Sequence, residues 1–323
     1  MDNESIKLVP NRLKFFPVMM FAIVMGLSGL SLVYGKAHEV LNLNKMFYEI
    51  LSYFTIVIFL VILVTYILKM INYIDEVKQE FSHPIRINFF AAISISFVLV
   101  SMLFQPLNTY IAHTLFTIGT LLHLFFTFYT LSFWINKSLN IQHSNPAWFI
   151  PIVGNLIIPV GGINILCNSI LMYFFSIGIF FWIIMFSIIL NRIIFHDQFA
   201  QKFMPTLFIL IAPPTVGLLA YYKLTEHYDI FATVLYNLGL FFTLLLFFMY
   251  KNFLKIKFFI SWWAFTFPLA SMALATLLVY SINKEIIYYY LSYFFVFCAT
   301  AIVCIVAFNT LKHIMKKEIC IME

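Results

Sequence analysis

Charge is what this sequence has least of. Only 10% of its 323 residues are Asp, Glu, Lys or Arg, against about 25% in soluble domains. A chain so poor in charge cannot cover the surface of a water-soluble fold of this size. Cysteine is also scarce. Cys167, Cys298, Cys304 and Cys320 follow no disulfide or metal-site spacing and read as packing residues. The basic residues exceed the acidic ones by six, but they are dispersed, so no nucleic-acid partner is expected. The short alternating segments of a β-barrel are missing as well. No small-residue cleavage site follows the first apolar run, so a signal peptide is not expected.

What remains is apolar and aromatic. Hydrophobic residues make up 63% of the chain, including 40 Phe and 18 Tyr. The composition specifies an all-α polytopic membrane protein. Residues 1–323 form one transmembrane domain, without an inserted soluble domain. Ten apolar segments emerge, near Phe16–Tyr34, Met46–Leu68, Ile87–Phe104, Tyr110–Trp134, Ala147–Val160, Leu166–Leu190, Pro205–Tyr222, Ile230–Tyr250, Phe258–Tyr280 and Ile286–Ala307. Tyr250, Tyr280 and Tyr288 to Tyr290 sit at segment ends, as interfacial anchors do. An even number of crossings puts both termini on one side. Fifteen of the nineteen basic residues fall in loops on that side, and only Lys36, Lys45, Lys223 and Lys284 fall on the other. The positive-inside rule then predicts cytoplasmic termini.

The prolines divide the segments into two kinds. Pro17, Pro151, Pro159, Pro205, Pro213, Pro214 and Pro268 lie in or at the edges of odd-numbered segments, Pro84 and Pro146 just before two of them, and the even segments contain none. Proline breaks the helical hydrogen-bond ladder. Broken backbone at membrane depth is tolerated only where protein or a water-filled cavity surrounds it. The pattern predicts five helical hairpins around a central pore, odd helices inside and even helices outside.

No Asp, Glu, Lys or Arg lies well inside a segment, which argues against a proton pump and leaves little for an enzyme to use. His113 and His123 in the fourth segment are ten residues apart and off a common face, so they read as packing or loop-facing residues rather than as haem or metal ligands. Neither a cofactor nor a metal is expected. The ninth segment is unusual. Ala264, Pro268, Ser271 and Ala275 share one narrow face, with Phe267 the large ring along its edge. Such a small-residue stripe packs tightly on another helix or borders a cavity.

Five stretches in order, spread over nearly the whole chain, are similar to the tellurite-resistance/dicarboxylate transporter family, which includes the bacterial TehA proteins and the plant slow anion channels. They are Gly26-Leu27-Ser28-Gly29-Leu30-Ser31-Leu32, Glu80-Phe81-Ser82-His83-Pro84-Ile85-Arg86, Asn145-Pro146-Ala147-Trp148-Phe149-Ile150-Pro151, Ile211-Ala212-Pro213-Pro214-Thr215-Val216-Gly217 and Trp263-Ala264-Phe265-Thr266-Phe267-Pro268-Leu269-Ala270-Ser271-Met272. Members often carry a proline just before the Gly-Leu of the first helix, where this chain has Val24 and Met25. The resemblance implies a homotrimer in a bacterial inner membrane, with a pore in each protomer lined by odd helices. A phenylalanine of the ninth helix, here Phe267, would occlude it. Gly26, Gly29, Pro151, Pro213, Pro214, Ala264, Pro268, Ser271 and Ala275 are then the pore-lining candidates. The expected function is an anion channel or uniporter for small monovalent anions such as chloride or nitrate. The alternative is a proton-coupled carrier of C4-dicarboxylates, sulfite or tellurite, which would need a protonatable site. An intramembrane enzyme or cytochrome would need catalytic groups that the segments lack.

Overall fold

The computed structural model describes residues 12–320, and among these every regular element is helical. Among the described residues nine helices are long and apolar enough to cross a membrane: Val18–Leu41, Met46–Asn72, Arg86–Phe104, Thr109–Asn136, Asn168–Phe195, Gln201–Thr225, Ile230–Phe248, Ile260–Asn283 and Ile286–Met315. The remaining span, fifth in chain order, is the shorter apolar stretch Pro146–Gly162.

The odd/even division is a division in backbone geometry. Each odd span opens with a 3-10 stretch: Val18–Met20, Arg86–Phe90, Pro146–Trp148, Gln201–Ile211 and Ile260–Phe265. The fifth span returns to 3-10 at Gly154–Leu156. The even spans are single unbroken α-helices. Prolines account for this locally in the seventh and ninth spans. A proline at 213 or 268 cannot donate to the carbonyl four residues back, which removes the usual helical partner of Ile209 and Ala264. In the fifth span, side-chain hydrogen bonds tie the irregular backbone to the fourth span. Thr127 Oγ1 donates to the Pro151 carbonyl at 2.8 Å, and Asn155 Nδ2 donates to Thr127 Oγ1 at 3.0 Å.

Burial follows the same rule. In their most apolar windows, 61–83% of the residues of the four long odd spans are buried, against 33–39% for the even spans. The odd spans pack in a closed ring, each against the next, with the ninth returning to the first. The even spans stand outside and turn large apolar side chains outward, as Val57, Val61 and Val64 do on the second span. A bilayer supplies the apolar environment that these residues lack within the chain.

Three helices end on non-glycine residues in the left-handed region: Asn42 (φ 57°), Glu226 (φ 57°) and Lys284 (φ 56°) close the first, seventh and ninth spans. The first span therefore runs to Leu41, past the Tyr34 limit expected from hydropathy. Lys36 and Glu39 end the apolar run but pair with each other at 2.9 Å without breaking the helix. Two basic residues expected to mark loops are buried instead. Lys69 is 3% exposed and Arg192 is 5% exposed. The Lys69 ammonium meets the Glu80 carboxylate at 2.7 Å. Glu80 comes from a short helix, Ile74–Ser82, that folds back between the second and third spans. The expectation for the termini concerns Met1 and Glu323, which lie outside the described residues.

Candidate functional site

The ring of odd spans encloses an apolar cavity of about 80 Å³. The first span contributes Ala22 and Met25, the third Phe89, Ala92 and Ile95, and the fifth Phe149, Ile150, Val153, Gly154 and Ile157. The seventh contributes Ile209, Ala212, Pro213 and Val216, and the ninth Trp263, Ala264, Phe267 and Pro268. None of these side chains is titratable.

The cavity lies where 3-10 geometry gives way to α-helix. The α-helical segments of the first, third, seventh and ninth spans begin at Phe21, Ala91, Ala212 and Thr266. Ala22, Ala92, Ala212 and Phe267 thus line the cavity from first turns. Backbone N–H groups at such junctions are paired less well than in mid-helix, and they carry the positive end of each dipole. Every odd span also places one small residue on the wall: Ala22, Ala92, Gly154, Ala212 or Ala264. Space at the axis is therefore set by short side chains, and rings intrude on it.

Of the residues singled out in sequence, Phe267, Ala264, Pro268 and Pro213 meet at this cavity. The other six are placed elsewhere. Gly26 and Gly29 lie where the first span crosses the ninth: a Cβ on Gly26 would come within 2.1 Å of Thr266 Oγ1, and one on Gly29 within 2.9 Å of the Ala270 Cβ. Ser271 turns to the seventh span, its Oγ 2.7 Å from Thr215 Oγ1. Ala275 is fully buried, and Pro151 and Pro214 are buried in their own spans. The ninth-span stripe therefore divides. Its first half borders the cavity and its second half packs against a neighbouring helix.

Sequence reasoning missed Phe89, Phe149 and Trp263, which share the wall with Phe267. The signal was present in the repeat: each follows closely on the start of an odd span. His123, one of the two histidines read from sequence as packing or loop-facing, is a packing residue. This side chain is fully buried, with Nδ1 2.8 Å from Ser94 Oγ. Its ring packs directly behind Gly154, where an added Cβ would stand 2.7 Å from His123 Cε1. Glycine at 154 is thus required for the fifth span to lie against the fourth.

Five broken helices around an axial apolar constriction, sheathed by five continuous ones, make a multi-pass membrane channel or transporter. The chain belongs to the SLAC1 family of voltage-dependent anion channels, which it matches over residues 15–311. It is 27% identical to an uncharacterised transporter of Methanocaldococcus jannaschii, over 84% of this chain and 86% of that one. It is 28% identical to a tellurite resistance protein TehA homolog of Haemophilus influenzae, over 80% of this chain and 79% of that one. It is also 24% identical to the guard cell S-type anion channel SLAC1 of Arabidopsis thaliana, over 97% of this chain but 59% of that one. The chain therefore spans little more than half the length of this plant relative. The family consists of anion channels and transporters, not enzymes.

Proposed function

We propose that the chain is a channel for small monovalent anions such as chloride and nitrate, closed in this conformation by Phe267. The observation that carries this reading is the cavity itself: all five broken spans reach it, and the Phe267 ring lies in its wall. An apolar constriction of this size gives an ion nothing in place of its lost hydration, so it acts as a gate. Helix first turns around the cavity supply a weak positive potential without a fixed charge. Weak sites of this kind favour anions that shed water easily over strongly hydrated dianions.

A proton-coupled carrier would need a titratable group at the permeation path, and the cavity wall offers none. A bacterial inner membrane is part of this proposal, supported by the family resemblance, and cytoplasmic termini are supported by the distribution of basic residues. A homotrimer with one pore per protomer is part of the same proposal, supported by the family resemblance.

The decisive experiment records anion currents from Phe267→Ala in planar bilayers. Each ~1.4 kcal/mol taken from a barrier is roughly tenfold in rate, so removing the ring should raise conductance at least about tenfold with anion selectivity kept. Phe265 is the control. It is buried in an aromatic cluster, 4.7 Å from Phe208 and 5.8 Å from Phe253, away from the cavity. Phe265→Leu should leave conductance unchanged. A stable Phe267→Ala oligomer that conducts no more than the parent would refute the gate.

A further inference from the structure

The seventh span begins at a second cavity, of about 350 Å³, on the side where the basic loops gather. Half of its lining residues are polar or charged, whereas the gate cavity is lined by apolar residues. Its wall combines the end of the sixth span (Arg192), the following loop (Asp197, Gln198) and the start of the seventh span (Gln201). Asn252 and Lys255, from the turn after the eighth span, complete its polar lining, and apolar side chains such as Met204, Leu207 and Ile256 form the rest.

Arg192 is the informative group. The side chain is 5% exposed, yet it lines this cavity. Its guanidinium stacks on Phe199, with Cζ 4.9 Å from the ring centroid. Nη1 donates to the Asp197 carbonyl, which leaves the Asp197 carboxylate outside the contact. Nε is buried and has no hydrogen-bond partner. Among the described residues no carboxylate lies within ion-pairing distance of Arg192. A buried charge is ordinarily paired, because removing it from water is costly. Arginine in particular presents a planar fork suited to phosphate and carboxylate oxygens.

We propose that this cavity is a binding site for a phosphate group. Arg192 provides the buried anchor, and Lys255 provides a second positive charge at the rim. Gln198, Gln201 and Asn252 supply neutral amide donors around them. Asp197 lines the same cavity, so the site suits one phosphate group rather than a polyanion. Both a free phosphate ion and an anionic lipid headgroup carry that chemistry, and the cavity lies between the end of the sixth span and the start of the seventh. The 3-10 stretch that starts here at Gln201 continues to Ile209 in the gate wall, so an occupant braces the seventh span. The assignment stands apart from the pore reading and holds whichever anion the pore passes.

The test uses the full chain. Inorganic phosphate is titrated into the detergent-purified protein at constant ionic strength, with Tm as readout. In parallel, the protein is reconstituted in phosphatidylcholine nanodiscs with and without phosphatidic acid. A ligand that binds the folded state raises Tm by mass action. Phosphate should raise Tm, and its apparent Kd should rise about tenfold or more in Asn252→Asp and Lys255→Gln, which alter only exposed side chains. A rise seen with phosphatidic acid alone, and lost in both variants, identifies the occupant as a lipid headgroup and supports the site. Arg192→Gln should abolish the effect, and if it fails to fold, the two rim variants decide. No shift with either probe, or an equal shift in the parent and both rim variants, overturns the proposal.

Discussion

The Phe267 ring rests on the backbone of Gly29: a Cβ built there would stand 3.2 Å from Cδ2 of the ring and 3.8 Å from Cε2. The first span thus forms the seat of the gate without lining the cavity at that point. Gly29→Ala crowds the ring from behind and meets the Ala270 Cβ at 2.9 Å. Overpacking of this kind costs about 1–3 kcal/mol. Crowding from behind should push the ring toward the cavity that it lines, so the variant should be less stable and show lower basal anion current. Adding Phe267→Ala should restore high conductance. Bilayer currents for the single and double variants check both outcomes.

Anion flux through the proposed pore should need no proton gradient. The gate cavity has no titratable side chain, so flux into liposomes should vary little between about pH 6 and about pH 8, where only histidine-like groups titrate. Flux abolished by an uncoupler at clamped membrane potential would instead require a coupled carrier.

The buried pair Lys69–Glu80 should hold the membrane-surface end of the bundle together. Glu80 also accepts from the Val18 N–H at 2.8 Å and the Tyr66 hydroxyl at 3.1 Å, and Lys69 donates to the Phe16 carbonyl at 2.9 Å. Removing one partner of a buried pair typically costs about 3–5 kcal/mol, because the other charge is stranded. Glu80→Ala should cost that much. The double variant Lys69→Met with Glu80→Gln should recover a large part of it. Unfolding in detergent, followed for both, tests the pairing.

A histidine at the membrane surface should make stability depend on pH. His83 Nδ1 accepts the Ile85 and Arg86 N–H groups at 3.1 and 3.3 Å, ahead of the third span. Partial burial, and after it the charges of Arg86, Lys202 and His143, holds its pKa below the ordinary value. The unfolded chain takes up this proton near pH 6.5, while the folded chain resists it. The contribution is therefore complete above about pH 6.5 and lost as pH falls through the folded value. The Tm of the parent should drop more than that of His83→Asn between about pH 7.5 and about pH 5. The difference should be modest, because solvent screens the site.

Topology is open to direct measurement. The sequence assigns fifteen of nineteen basic residues to the side of the termini, so reporter fusions at Met1 and at Glu323 should both report the cytoplasm. Either terminus in the periplasm would break the assignment.

Much of this architecture was legible in the sequence. Low charge and ten apolar runs determined a membrane bundle. Proline in or just before the odd segments, and absent from the even ones, marked which helices are broken, because a missing N–H is a local fact. Broken backbone must be shielded from lipid, so the odd spans had to lie inside. The rotation of each span about its own axis was not legible. Helical periodicity groups Ala264, Pro268, Ser271 and Ala275 on one face, but it does not say where along that face the cavity ends and helix packing begins. That limit is set by the seventh span, whose Thr215 hydroxyl meets Ser271. Charge position alone likewise made Lys69 and Arg192 loop markers. Their burial was decided by chain segments folded over them, Ile74–Ser82 in one case and the 196–200 loop in the other. Composition and spacing fix what each helix must avoid, whereas contacts between residues far apart in the chain decide what each side chain touches.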